Sequence, residues 1–299
     1  MRKITVKIPA TTANMGPGFD CLGMALDIWN TVTVELGKTG IEITGRGAGI
    51  LPRGSSNLVL RCFKTVFERL GKTVPEAKIT CHNDIPVSRG LGSSSASIVG
   101  GLMAANEVCD RPFSKEALLD IAVEIEGHPD NVVPALLGGC QISVPDEGEL
   151  ITCQVPIPEE LSAVLFIPDV PMSTAQARSV LHPTVDRADA VYNIGRVAIL
   201  VNALATGNLE HLGIATQDRL HQPARQEIFF PMKNIFKGAM DGGAMGVFLS
   251  GAGSTVLALT PTKEFTIGYE MADAASKSGV GGEIKVTKPS AMGAHVEPQ

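Results

Sequence analysis

The stretch that most constrains this chain is Pro86-Val87-Ser88-Arg89-Gly90-Leu91-Gly92-Ser93-Ser94-Ser95-Ala96-Ser97. It follows a β-like run, Ala77-Lys78-Ile79-Thr80-Cys81-His82, and leads into a small-residue segment, Ala96 to Asn106, that reads as a helix. Strand, glycine–serine loop and helix form an order that suits an anion. The first turn of a helix carries N–H groups without intrahelical partners and a partial positive charge. Glycine lets the backbone come close to a phosphate, and consecutive serines add hydroxyl donors without bulk. A flexible serine-rich turn has the same composition, but the helical continuation favours the anion site.

Neither common phosphate motif is present. A Walker loop needs G-x-x-x-x-G-K-[ST]. The chain has Gly37-Lys38-Thr39 and Gly71-Lys72-Thr73, but Val32 and Val66 stand where the earlier glycine is required. The dinucleotide fingerprint fails as well, because Ser95 replaces its third glycine. The string P-x-x-x-G-L-G-S-S-[SA]-A instead resembles the phosphate loop of the GHMP kinases. That resemblance implies that residues 86–97 bind the phosphates of ATP.

Length and composition are compatible with an enzyme of that kind. A chain of 299 residues with 44% hydrophobic residues can bury a sizeable core in one large or two ordinary domains. A net charge of −6 disfavours nucleic acid and anionic membrane surfaces, so local basic residues must meet any anionic ligand. Aromatic residues at 4% argue against a base-stacking surface. No apolar run approaches the roughly 18 residues of a membrane span. The N-terminus, Met1-Arg2-Lys3-Ile4-Thr5-Val6-Lys7-Ile8, alternates like a strand and lacks a signal core. Cysteines 21, 62, 81, 109, 140 and 153 are scattered without a C-x-x-C pair. They read as reduced thiols of a cytoplasmic protein, not as a disulfide frame or a zinc site.

Four further strings extend the resemblance, and they point to the homoserine kinases within the family. After a strand over Ile4–Ile8, residues 9–20 read as a loop rich in turn formers, Pro9-Ala10-Thr11-Thr12-Ala13-Asn14-Met15-Gly16-Pro17-Gly18-Phe19-Asp20. By residue type, Asn14 and Asp20 are either turn caps or two polar heads at one site. The resemblance makes them substrate ligands. A helix is expected over Leu58–Leu70 after a cap at Ser55 or Ser56. The family places a residue like Asn57 near the nucleotide. A second helix, capped near Ser114, ends in Glu124-Ile125-Glu126-Gly127-His128-Pro129-Asp130-Asn131. The resemblance puts His128 and Asn131 in the substrate pocket and a magnesium ligand at Glu124, with Glu126 as its rival. Ser97 is the other implied metal ligand.

In the second half, Ala163–Pro168 reads as a strand, and Ser173-Thr174-Ala175-Gln176-Ala177-Arg178 follows with Ser173 as a helix cap. The resemblance implies that Thr174 and Arg178 touch the substrate. A planar guanidinium suits a carboxylate because it donates two parallel hydrogen bonds. Asp218-Arg219-Leu220-His221-Gln222-Pro223-Ala224-Arg225 resembles the segment carrying a second such arginine. That arginine maps to Arg225, with Arg219 as the near neighbour that could be confused with it. Val191–Leu204 reads as a helix, and one helix and one strand are expected after Phe265. The glycine-rich Gly242–Leu259 is expected to fold as turn, strand, glycine turn and strand, and in the family it packs against the phosphate end.

The implied fold is α+β: a two-domain GHMP kinase fold with the active site in the interdomain cleft. The domains would span 1–155 and 156–299, divided at a Pro- and acid-rich stretch from Pro145 to Glu160. The implied reaction is phosphorylation of the side-chain hydroxyl of L-homoserine by ATP with Mg2+, a step toward threonine, by an enzyme that forms homodimers in many members. Asp20, Asn131 and Arg178 are the expected catalytic residues. Many GHMP kinases have an Asp base where this chain has Asn131, and an amide cannot take a proton at neutral pH. Direct attack by the substrate hydroxyl is therefore expected, with Asp130 as a base only if it faces inward. Two alternatives remain: a mevalonate-type kinase, and a catalytically silent ligand sensor.

Overall fold

The computed structural model describes residues 2–298. The first half runs β1 (Lys3–Ala13), β2 (Leu22–Leu36), β3 (Gly40–Gly45), α1 (Leu58–Arg69), β4 (Ala77–Asn83), α2 (Ser93–Val108), α3 (Lys115–Glu126), α4 (Pro129–Leu137), β5 (Cys140–Asp146) and β6 (Glu149–Val155). The second half continues with β7 (Ser162–Pro168), α5 (Thr174–Ser179), α6 (Arg187–Thr206), a 3-10 turn at Leu209–His211, α7 (Leu212–Ala215), α8 (Gln222–Gln226) and α9 (Met232–Asp241). It ends with β8 (Gly246–Leu249), β9 (Val256–Thr260), α10 (Glu264–Lys277), β10 (Gly282–Thr287) and β11 (His295–Val296).

Two sheets organise these elements. The first has the order β11-β1-β2-β4-β3, with β5 joined to β2 and β6 to β5. In β1, Ile4, Val6 and Ile8 are buried while Lys3 is exposed, the alternation that makes a half-buried strand. The strand does not stop at Ile8. Residues 9–13, expected as loop, are fully buried and pair with β2 after an irregularity between Pro9 and Ala10. Proline is tolerated at such a break in the ladder, and the β-branched Thr11 and Thr12 suit the strand beyond it. The loop proper is only the short connection from Asn14 to Cys21.

Helix α2 starts at Ser93, three residues before the expected start, so the serines form its first turn and are not loop. Its sides are buried nearly all round, including Ile98, Val99, Leu102, Ala104 and Ala105. A helix that is apolar on every face belongs in the interior. Burial of each Ile, Val or Leu there contributes about 1.5–3 kcal/mol. The N-terminus of α2 is thereby held at a fixed place beside β1.

The second sheet has the order β10-β7-β9-β8, antiparallel throughout. All of β7 is buried. Ala163, Leu165 and Ile167 face the main apolar cluster, which also contains β1, β2 and α2 residues. Val164 and Phe166 face a second cluster with Ile235 of α9 and Met271 of α10. The main core therefore runs through both halves. The stretch from Pro145 to Glu160 is mostly the β5–β6 hairpin, in which Asp146 pairs with Glu149. The chain end crosses back: Val6 pairs with Val296, and Asp27 N–H donates to the Lys288 carbonyl at 2.9 Å.

Candidate active site

The segment between β4 and α2 lies between the two sheets. Its carbonyl groups are turned outward and bonded to both halves. The Met172 amide donates to Ser88 O at 3.0 Å, Thr255 N to Arg89 O at 3.2 Å, and Thr11 N to Leu91 O at 3.2 Å. Ser250 Oγ donates to Gly90 O at 2.6 Å. Backbone N–H groups are left for the cavity side. Gly92 caps α2 with no side-chain bond to the first turn, so no capping side chain occupies the first N–H groups of the helix. Both loop glycines are required. Gly90 and Gly92 have φ of +74° and +70°, and a Cβ would come within 2.1 Å of Ser250 O and 1.9 Å of Thr11 Oγ1 respectively.

Arg89 serves this scaffold with its side chain. Its guanidinium donates to the carbonyls of Pro168 at 2.6 Å and Asp169 at 2.7 Å, at the end of β7. Asn57 is a helix cap: its Oδ1 accepts from Leu60 N at 3.1 Å and its Nδ2 donates to Pro52 O at 2.8 Å. Both ends of that amide are occupied, away from the cavity wall.

The carboxylate beside the loop is Glu126. Ser94 Oγ and Ser95 Oγ donate to its Oε1 at 2.6 and 3.0 Å. Glu124, the expected metal ligand, stands apart from the cavity. Two residues earlier on α3, that side chain points to another face, is 67% exposed, and pairs with Arg69 at 2.5 Å. Adjacent even positions on a helix lie about 200° apart, which is why the motif did not separate the two glutamates. Ser97 lines the cavity and donates to the Ser93 carbonyl at 2.9 Å.

Helix α3 ends at Gly127, whose φ of +88° turns the chain, and Pro129 opens α4 at its first position. His128 is thus a cap residue, while Asp130 and Asn131 stand in the first turn of α4. Asp130 is 2% exposed and accepts from His128 Nδ1 at 3.1 Å and Asn131 Nδ2 at 3.3 Å. The Asp130 carboxylate raises the His128 pKa above its ordinary value, and this outweighs the cost of burial. Asn131 Oδ1 accepts from Thr11 Oγ1 at 2.8 Å, which turns its NH2 group to Asp130 and the cavity.

The Asn14–Asp20 connection is strained. Asn14, Met15 and Asp20 all have positive φ, which side chains disfavour. Asn14 holds it by donating to Gly251 O at 2.9 Å and accepting from Asp20 N at 2.9 Å. Asp20 in turn receives both Nη1 and Nη2 of Arg178, at 3.0 and 2.6 Å. This bidentate pair joins the first half to α5, where Ser173 caps the helix through Gln176 N. Arg225 is 1% exposed and donates to Gly251 O at 2.9 Å. Burial, with Arg178 adding to it, lowers its pKa to about 10, so the guanidinium stays charged at neutral pH. Arg219 lies elsewhere, paired with Asp189 and packed over the Tyr192 ring.

One cavity of about 280 Å³ connects these groups. Of the expected site residues, Asn14, Val87, Ser88, Arg89, Gly90, Leu91, Gly92, Ser93, Ser94, Ser97, His128, Asn131, Thr174, Arg178 and Arg225 line it. Glu126 and Asp130 line it too, as do Gly251, Ala252 and Gly253 from the turn between β8 and β9. Asp20 stands behind Arg178, and Pro86, Ser95, Ala96, Asn57 and Glu124 are not part of the wall. Thr11, Phe19 and His221 were not expected to matter. Thr11 sits in the quoted Pro-Ala-Thr-Thr string, and His221 in the Asp-x-Leu-His string, but only contacts across the fold reveal what they hold. Among the described residues no group of three or more His, Cys, Asp or Glu is placed to bind a metal, and no helix is long and apolar enough to cross a membrane.

An uncapped helix terminus thus faces a pocket of guanidinium and carboxylate groups, an arrangement that suits a small-molecule kinase. Comparison with known proteins agrees. The family description "GHMP kinases N terminal domain" matches residues 57–139, and "GHMP kinases C terminal" matches residues 200–276. A homoserine kinase of Moorella thermoacetica is 42% identical over 292 residues, covering 97% of this chain and 99% of that one. One of Crocosphaera subtropica is 40% identical over 302 residues, covering 99% and 98%. The crystal structure of homoserine kinase from Cytophaga hutchinsonii superposes with a TM-score of 0.89 at 32% identity, covering 99% of this chain and 98% of that one. The chain belongs to the GHMP kinase family, within the group of the homoserine kinases.

Proposed function

We propose that this kinase transfers the γ-phosphoryl group of ATP to the side-chain hydroxyl of L-homoserine, giving ADP and O-phospho-L-homoserine, in the cytoplasmic route to threonine. The observation that carries the reading is the one cavity lined by the α2 N-terminus, Arg178 and Arg225, with Asp20 bonded to Arg178 at its edge. An amino acid with a hydroxyl side chain has three heads for such a site. Its carboxylate suits the two guanidinium groups. Its amine suits the Asp20 carboxylate, and its hydroxyl is left for the phosphate end.

The backbone N–H groups of residues 90–95 and the helix dipole would hold the phosphates. Ser94 Oγ and the Glu126 carboxylate form an oxygen pair that suits Mg2+, with Ser97 close by. Mg2+ would neutralise charge on the phosphates, and phosphate and water oxygens would complete its shell. Asn131 donates from its NH2 group and cannot act as a base. Asp130 is occupied by His128 and Asn131 and, in this reading, orients them. Catalysis then comes from alignment and charge stabilisation of an in-line transfer without a carboxylate base. All six cysteines are free thiols, which fits a reducing compartment. A homodimer is part of the same proposal, and sedimentation velocity checks it.

The test is ADP release by purified protein with ATP and Mg2+, offered L-homoserine, mevalonate and galactose separately. Turnover with homoserine alone is expected. Turnover with mevalonate alone would replace the substrate assignment while keeping the kinase, and ATP binding without any turnover would favour a sensor.

A further inference from the structure

We infer that His221 is a positioning residue that sets the orientation of Arg225 and ties it to the Gly16–Asp20 loop. The inference rests on the proposed role of Arg225 as a carboxylate anchor. His221 is completely buried and lies outside the cavity wall, so it acts through its neighbours. Its Nε2 is 2.7 Å from Gly16 O, and a carbonyl oxygen only accepts, so Nε2 carries the proton. Its Nδ1 is 2.9 Å from Arg225 Nη1, and a guanidinium only donates, so Nδ1 is bare. The two contacts fix one neutral tautomer. A doubly protonated ring would set an N–H against a buried cation, and burial correspondingly lowers the His221 pKa.

The surroundings hold that ring rigidly. The Asp218 carboxylate accepts from Leu220 N, His221 N, Gln222 N and Asn193 Nδ2 at 2.7–3.0 Å, fixing the turn that carries His221. The ring stacks on Phe19 with centroids 5.2 Å apart and an interplanar angle of 25°. The Arg178 and Arg225 guanidinium carbons each lie 5.6 Å from the Phe19 centroid. Arg225 uses Nε on Ala177 O at 3.3 Å and Nη1 on Gly251 O and His221. That leaves Nη2 for a ligand. Through Gly16 the same ring steadies the loop that presents Asp20 to Arg178.

The experiment first confirms homoserine turnover by the unaltered protein. If mevalonate is turned over instead, the substrate assignment has failed, and the same comparison runs on that carboxylate. His221→Phe keeps the stack on Phe19 and loses both polar contacts. His221→Asn keeps an acceptor near the Nδ1 place. Phe should raise KM for homoserine about 10- to 100-fold, the range for a lost bond to a charged group. KM for ATP should stay within about 2-fold and kcat within about 3-fold, because the phosphate end is untouched. Asn should recover most of the loss. The decisive readout is 3-amino-1-propanol, which is homoserine without its carboxylate. On it His221→Phe should lose less than about 3-fold in kcat/KM, because Asp20, proposed to meet the amine, is still held by Asn14 and Arg178. An equal loss on 3-amino-1-propanol, or a parallel rise in KM for ATP, overturns the inference. Thermal melts report folding. If the Phe variant does not fold, His221→Gln, which can still donate to Gly16, carries the comparison with the same outcomes.

Discussion

At the end of the cavity proposed for the phosphates the donors are backbone N–H groups from one continuous segment, residues 90–95. At the other end they are side chains from three segments, His128 with Asn131, Arg178, and Arg225, with Asp20 standing behind Arg178. The first end depends on what side chains are absent, since a Cβ at Gly90 or Gly92 would overlap atoms of Ser250 or Thr11. The second depends on what side chains are present and on their mutual holding, as in the bidentate Asp20–Arg178 pair. Changes at the two ends should therefore separate cleanly in KM for the two substrates.

The largest expected effect is at the second end. Arg225→Met should raise KM for homoserine about 10²- to 10³-fold, the range for removing one partner of a buried charged pair. KM for ATP should move less than about 3-fold, and steady-state kinetics with each substrate varied in turn checks this. A parallel rise in both would break the division between the two ends. Gly92→Ala is the converse. Positive φ and the contact with Thr11 should cost about 1–3 kcal/mol, appearing as roughly 10- to 100-fold weaker ATP binding by calorimetry. Glu126→Gln should raise the Mg2+ concentration for half-maximal rate by about 10-fold, as expected for losing an anionic oxygen ligand. Glu124→Gln, which loses only an exposed pair with Arg69, should leave it unchanged.

The smallest expected effect is on pH dependence. Asp130 raises the folded-state pKa of His128 above the ordinary 6.5. Its stabilisation is thus complete below about pH 6.5 and is lost as pH rises through the elevated value. Between about pH 6 and pH 9 the melting temperature should fall more for the unaltered protein than for His128→Gln, by no more than about 1 kcal/mol in stability. Equal slopes would show that the His128–Asp130 contact carries no charge.

The setting of the glycine–serine loop was legible in sequence, because strand, loop, serines and helix are neighbours in the chain. The caps at Ser114 and Ser173 and the β8–β9 hairpin were legible for the same reason. Local reading failed where pairing across the fold decided the state. Residues 9–13 look like a turn but are strand, since β2 supplies their partners. It also failed where one step around a helix mattered. Glu124 and Glu126 read alike until α3 is docked, when one meets Arg69 and the other Ser94.

The sequence by itself determined the strand–loop–helix order around the glycine–serine segment, the kind of groups available to a ligand and the family to which the chain belongs, because these rest on residue types in short order along the chain. Only the tertiary structure decided which carboxylate stands beside the glycine–serine loop, that Asp20 and Arg178 hold each other, and that His221 reaches Gly16. Those are contacts between residues far apart in the chain, two of them between its first and second halves. Their geometry is set by how a continuous core docks two sheets and α2 against one another, which no local run of residues encodes.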